Sequence, residues 1–475
     1  MSPGAALGQA RPVTVTADRT DLARRRAVSG FTLYDVANSA FVTTVVTAVG
    51  GPFLTSLAED AANADGRVSL LLLEPRADAL FAYAVSLSVL LQVLTLPVLG
   101  ALADRPTAKR KLLVLATAAG SIATVCLAIV PAGAVVLGLL AFVVANLAYG
   151  AAILAYNAYL ADVAELPDRD RVSARGFAFG YAGGAFVLAL SLALVTANDA
   201  LGISRGTAVR LAIGLSAVWW AAVAAIAIRR LDAVRELPGY DGATSQESLG
   251  RQVMASIGQL RGSFRVLRAL PGTARFLLAF LLFNDAIQAV VALSAVVLEN
   301  ELFKAKGLPE EDATPFLLQL ILLIQVVAVF GAAGSAKLAA RFGAKRVLLG
   351  TLVVWVGIVV YAVAALDSTT AAYVLGIFIA LVLGGSQALA RSLFSSMTPG
   401  HRQASFFGFY ELAERGTAWI GTLVFAVVLD ITGSYRSALL SLLVLFVSGG
   451  LLLASTDTDA AVAAAREADA EQAAA

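Results

Sequence analysis

Twelve separate stretches of this chain are long and apolar enough to cross a lipid bilayer: 31–57, 79–102, 112–130, 134–160, 177–196, 211–228, 276–298, 316–338, 347–365, 371–397, 406–429 and 437–454. A helix rises about 1.5 Å per residue and the hydrocarbon layer is about 30 Å thick, so roughly 20 mostly apolar residues make one crossing. Inside lipid each backbone N–H and C=O must find its partner within the protein, which leaves helices as the solution for runs of this length. The expected fold class is therefore an all-α membrane protein with twelve transmembrane helices. Composition agrees: 59% of the 475 residues are hydrophobic and 14% are charged, too little charge to wet a soluble protein of this size.

The basic residues fix an orientation. With the N-terminus placed inside, the inner segments hold 26 Lys and Arg and the outer loops hold seven: Arg67, Arg76, Arg205, Arg210, Lys304, Lys306 and Arg436. Positive charge concentrates on the cytoplasmic side of membrane proteins, so both termini are expected in the cytoplasm. Arg24, Arg25 and Arg26 precede the first apolar run, but that run is too long for a signal sequence and carries Asp35 and Asn38, so it reads as a retained span. The excess of Arg over Lys and the abundance of Ala suit a GC-rich bacterial genome, so the expected location is a bacterial cell membrane. The net charge of +2 gives no reason to expect a nucleic-acid partner. One cysteine, Cys126, and one histidine, His401, leave no basis for a transition-metal site or cofactor.

The chain repeats itself. Residues 102–113, LADRPTAKRKLL, match residues 338–349, LAARFGAKRVLL, at eight of twelve positions with an offset of 236. Pro167, Ser173, Gly176 and Phe177 match Pro399, Ser405, Gly408 and Phe409 at an offset of 232. Asp35 with Asn38 resembles Asp285 with Gln288 in the first span of each half. Three matches in the same order indicate two pseudo-symmetric six-helix bundles. The expected organisation is a cytoplasmic arm (1–30), a first bundle (31–228), a cytoplasmic linker (229–275), a second bundle (276–454) and a flexible tail (455–475). Within the linker, Leu249, Val253, Ile257, Leu260, Phe264 and Leu267 recur at helical spacing with arginines between them, the pattern of an amphipathic helix on the inner leaflet.

The segment Gly100 to Lys111 resembles the loop between the second and third helices of the major facilitator superfamily, with Thr107 where that family has glycine and Ala340 where the second copy would have an acid. More narrowly, Leu33–Phe41 (LYDVANSAF), Phe283–Gln288 (FNDAIQ), Gly384–Phe394 (GGSQALARSLF) and Phe406–Tyr410 (FFGFY) resemble the vacuolar amino-acid effluxer family linked to autophagy and its bacterial relatives. The resemblance implies the major facilitator fold and a proton- or gradient-driven carrier that exports neutral amino acids.

Ionisable groups inside spans mark candidate sites, because each costs about 2.5–3.5 kcal/mol at a helix centre. Asp285 lies about 14 Å along its span, near the bilayer midplane. With Asn284 and Gln288 it reads as a substrate or proton site, or as a carboxylate that fixes helix packing. Asp35 and Asn38 start a polar stripe through Ser39, Thr43 and Thr47, which either lines a cavity or bonds neighbouring helices. Gln92 and Gln387 are placed near the cavity. Arg391 and Glu411 form a candidate inner-gate ion pair, while Glu414 and Arg415 read as a pair at the headgroup boundary. Asp104 and Arg105 are read as a conformational switch against a helix end, and Lys109, Arg110 and Lys111 as positive-inside anchors. Gly183–Gly184 and Gly384–Gly385 are read as close-packing or hinge sites.

The resulting expectation is a monomeric secondary transporter, not an enzyme, that moves a small solute by alternating access, with protons and membrane lipid as further partners. The rivals are a non-transporting nutrient sensor and an intramembrane hydrolase using Asp35 and Asp285. No Gly-Lys dipeptide occurs, so a phosphate-binding loop of an ATP-driven pump is not expected.

Overall fold

The computed structural model describes residues 12–70, 74–103, 106–164, 169–237, 251, 254, 267–268, 270–307, 309–399, 410, 413–414 and 419–474. Thirteen helices carry the description below: α1 (Thr20–Glu59), α2 (Leu80–Ala103), α3 (Pro106–Ala128), α4 (Val135–Asn157), α5 (Arg169–Thr196), α6 (Arg205–Leu231), α7 (Pro271–Leu298), α8 (Ala313–Phe342), α9 (Ala344–Ala365), α10 (Thr369–Ser396), α11 (Ile420–Thr432), α12 (Tyr435–Ser455) and α13 (Thr458–Ala474). Among the described residues ten helices are long and apolar enough to cross a membrane, and Ala313–Ala328 and Ile420–Thr432 are shorter apolar helices. The amphipathic linker helix expected over 249–268 falls almost wholly outside the described residues, as do Asp104, Arg105, Glu411 and Arg415.

The packing repeats with a period of six helices. In the first half α1 packs on α5 and α6, α2 on α4, and α3 on α4 and α6; in the second, α7 packs on α11 and α12, α8 on α10, and α9 on α10 and α12. The halves meet where α2 touches α11, α5 touches α8 and α1 touches α7. A twofold operation that exchanges the halves maps the first two of these contacts onto each other and the third onto itself. The packing of the described helices is thus pseudo-symmetric between two halves, in keeping with the repeats at 102–113 and 338–349.

Burial follows position in this arrangement. Two-thirds (67%) of the apolar windows of α1 and α7 are covered by protein, against 33% for α12. The two acid-bearing helices are the central pair, which keeps their carboxylates from acyl chains. Gly343, at φ 88°, forms the sharp joint between α8 and α9, and only glycine tolerates that angle without strain. In the first copy of the repeat this position is Thr107.

The tail expected to be flexible is α13. Asp457 accepts the N–H of Ala460 at its start, and Ala461 and Ala465 are buried, with Ala461 seated against Gly272 of α7. Alanine is the strongest helix former and its methyl group fits a close crossing, so a stripe without larger apolar residues was enough.

Candidate functional site

Asp35 lies on the central part of α1 and is 8% exposed. Its Oδ2 accepts the hydroxyl of Tyr156 at 2.9 Å. The Tyr156 ring stacks between Phe31 (4.3 Å) and Tyr34 (5.0 Å), and the Tyr34 hydroxyl pairs with Thr117 at 2.6 Å. The carboxylate is thereby fixed from three helices. Asn38 is buried, and its amide nitrogen has no hydrogen-bond partner among the described residues.

The polar stripe of α1 packs against a glycine face of α5. A Cβ at Gly176 would lie 2.7 Å from Asp35 Oδ2, one at Gly180 3.0 Å from Ser39, and one at Gly184 2.6 Å from Thr43. Glycines let the two helices approach until the polar groups are enclosed. Ser39 and Thr43 therefore serve helix packing. Gly183 against Val36, and Gly385 against Ser335, are close-packing sites. Gln92 donates to the carbonyl of Asn146 at 2.9 Å and lies against Gly150 of α4.

In the second half Asp285 is 1% exposed. Its Oδ2 accepts the N–H of Gly421 at 2.8 Å, within the first turn of α11, while Oδ1 has no hydrogen-bond partner among the described residues. The first N–H groups of a helix lack partners of their own, and the helix dipole favours negative charge there. The sequence reading left Asp285 open between ligand and packing group; the structure uses one oxygen as the cap of α11 and leaves the other free. Asn284 makes a long 3.4 Å contact to the carbonyl of Glu414. Gln288 and Gln387 are half-buried. Asp35 and Asp285 each have their own partners, Tyr156 for the first and the Gly421 amide for the second.

Arg391 pairs with Glu414 at 3.6 Å and stands over the ring of Tyr410 at 5.9 Å. Glu414, assigned from sequence to the headgroup boundary, is thus the acid found beside Arg391. Tyr181 of α5 was not singled out in the sequence. It is 53% exposed, yet it stands within electrostatic reach of Asp35 from its own half and Arg391 from the other. Among the described residues no group of three His, Cys, Asp or Glu side chains is arranged as a metal site.

At the membrane face opposite the chain termini, the halves are tied together. Asp430, near the end of α11, accepts the backbone N–H of Arg76 at 2.9 Å and the hydroxyl of Tyr83 at 3.3 Å, and lies 3.5 Å from Arg67. Lys304 pairs with Glu59 across the same boundary. Just below, Ser86 donates to the carbonyl of Trp419 at 2.9 Å. Asp78 bonds the Arg76 guanidinium at 3.0 Å and raises its already high pKa further, so that cation does not titrate in use. Sequence reasoning missed this latch. Its one local signal was an acid at the boundary of an apolar run.

At the terminus face, Lys109 and Arg110 do more than anchor the chain. Lys109 is buried, pairs with Asp162 at 2.5 Å and lies over the Tyr159 ring. Arg110 grips Asp232 through two bonds of 2.6 and 2.9 Å. The start of α3 is pinned to the ends of α4 and α6. In the second copy Lys345 caps the end of α12 by donating to the carbonyls of Ala454 and Thr456 at 3.0 and 2.7 Å.

The model of the "Vacuole effluxer Atg22 like" family matches residues 23–466, nearly the whole chain. The chain belongs to this family. An uncharacterized transporter of the major facilitator type, YxiO of Bacillus subtilis, is 30% identical over 440 residues, covering 91% of this chain and 96% of that protein. Autophagy-related protein 22 of Yarrowia lipolytica is 24% identical over 450 residues, covering 77% and 73%. Among solved structures, a D-xylose-proton symporter superimposes with a TM-score of 0.62 at 14% identity, covering 92% of this chain and 98% of its own. A bacterial homologue of the iron transporter ferroportin gives 0.61 at 14% identity, covering 91% and 98%. These likenesses carry the major facilitator fold. This Atg22-like chain is an integral, multi-pass membrane transporter of small solutes.

Proposed function

We propose that this transporter exports small neutral amino acids by alternating access, driven by a proton gradient. The observation that supports the substrate class is the environment of Tyr181. The carboxylate of Asp35 in one half and the guanidinium of Arg391 in the other both lie within electrostatic reach of the Tyr181 hydroxyl. A zwitterion offers each a partner: its ammonium for Asp35 and its carboxylate for Arg391, whose own pair with Glu414 is long at 3.6 Å. A ligand held by both halves draws them together, which is the differential contact that alternating access needs.

Asp285 is assigned to proton coupling. Protonation would remove a buried charge and give the free Oδ1 a hydrogen to donate. It would also weaken a charge-assisted bond to the first turn of α11. The same helix carries Asp430 nine residues further on, about 13 Å away along its axis. The proton site and the latch at the far face are thus two ends of one rod. In this assignment the termini face the cytoplasm of a bacterial cell, and the latch closes the outer side.

The test is transport of radiolabelled neutral amino acids into proteoliposomes with an imposed pH gradient. D285N retains an acceptor for the Gly421 N–H. It should lose accumulation against a gradient while keeping counterflow exchange. Full accumulation by D285N would remove Asp285 from coupling. Absence of any amino-acid flux in the parent protein would reject the substrate class and leave the sensor reading standing.

A further inference from the structure

A cavity of about 570 Å³ opens at the terminus face between the start of α1 and the end of α6. Its charged lining is Arg25, Arg26, Arg229, Arg230, Asp232 and Glu236. Four guanidinium groups therefore face two carboxylates, and Asp232 is already held by two bonds from Arg110. Arg230 donates to the Ser29 hydroxyl at 2.7 Å. Among the described residues Arg25, Arg26 and Arg229 have no ion-pair partner, although Glu236 lines the same cavity.

The floor of this cavity is rigid. A Cβ at Gly30 would meet the Leu231 nitrogen at 2.7 Å and the Ala227 carbonyl oxygen at 2.8 Å, so α1 and α6 touch backbone to backbone there. The lip is apolar: Ile226 lines the cavity and is 48% exposed. Arg229 and Arg230 form the last turn of α6, directly after its apolar run, which sets the guanidinium groups at headgroup depth. Preformed, unpaired guanidinium groups beside exposed aliphatic surface suit a phosphate ester that carries acyl chains, since the planar fork of arginine matches phosphate oxygens and the chains lie along the helix.

We propose that this cavity is a binding site for the headgroup phosphate of an anionic membrane phospholipid. The site holds none of Asp35, Asp285 or Arg391 and does not depend on the substrate assigned above.

The experiment measures the unfolding midpoint of the purified full-length protein in neutral detergent during titration with short-chain phosphatidylglycerol, phosphatidylcholine of the same chain length, or inorganic phosphate. Phosphatidylglycerol should raise the midpoint saturably, and the other two should not. The triple variant R25Q/R26Q/R229Q breaks no side-chain hydrogen bond or ion pair among the described residues. It should weaken the apparent affinity about a hundredfold. The control K337Q/R341Q/R346Q removes the same charge elsewhere on that face and should keep the affinity within about twofold. The proposal is overturned by parent-like binding in the triple variant, by an equal loss in the control, or by an equal rise with phosphatidylcholine. An equal rise with inorganic phosphate would overturn the lipid assignment in favour of a soluble anion.

Discussion

Removing the Asp430 carboxylate should unlatch the face opposite the termini, and the size of the effect can be worked from its contacts. The strongest is the charge-assisted bond from the Arg76 N–H at 2.9 Å; such bonds are worth about 1.5–3 kcal/mol net. The Tyr83 contact at 3.3 Å is near the limit of a useful bond. The Arg67 pair, with side chains 40% and 23% exposed, adds little after solvent screening. D430A therefore lowers the preference for the latched state by about 1.5–3 kcal/mol, a shift of about tenfold to a hundredfold in the population ratio. Opening should uncover Ser86, which is 4% exposed beneath Trp419. In a C126S background, the labelling rate of S86C by a membrane-impermeant maleimide should rise by that factor in D430A. D430N, which keeps an acceptor for the amide, should rise less. An unchanged rate in D430A, with the fold intact, refutes the latch.

Other expected outcomes can be checked with the same protein. K109M leaves Asp162 beside a vacated, mostly buried site and should cost about 2–3 kcal/mol in detergent unfolding, below the value for a fully buried pair because Asp162 is partly exposed; adding D162N should restore much of it. G183A places a methyl group 3.0 Å from the Val36 backbone and should destabilise by about 1–3 kcal/mol, whereas G350A, with nothing within 4 Å, should be neutral or slightly stabilising by thermal unfolding. R391Q should weaken recognition of an amino acid at least about tenfold in competition assays, the value of one charged contact, while an amine analogue without the carboxylate is spared. Equal losses for both compounds would detach Arg391 from the substrate carboxylate.

The fold was largely legible because its cause is local. Each span must satisfy its own backbone, so the apolar runs could be read one by one; among the described residues ten of the helices are long enough to span and two more are shorter. The copies at Lys109 and Lys345 exposed the duplication. Gly183–Gly184 could be read as packing glycines for the same reason. The site was legible only as residue types. Asp285 stood out because a span acid is costly, but its partner, the amide of Gly421, is a backbone group 136 residues away that carries no sequence label. The latch joins Arg76 to Asp430 across 354 residues. Lys109 looked like an anchor because the positive-inside rule accounts for any lysine at that face. Its burial against Tyr159 and Asp162 exists only once α3 and α4 are packed. Tyr181 is one of eleven tyrosines, and nothing but the approach of the two halves distinguishes it.

The strongest tie to Asp430 comes from the main chain at position 76, so an alanine scan would pass over it. Any residue there except proline supplies the same N–H. Position 76 has φ −64° and ψ 140°, angles that a proline ring also adopts. The difference between R76A and R76P therefore measures that one amide. It follows that every charge on this loop can be removed and this tie still hold, provided the carboxylate of Asp430 remains.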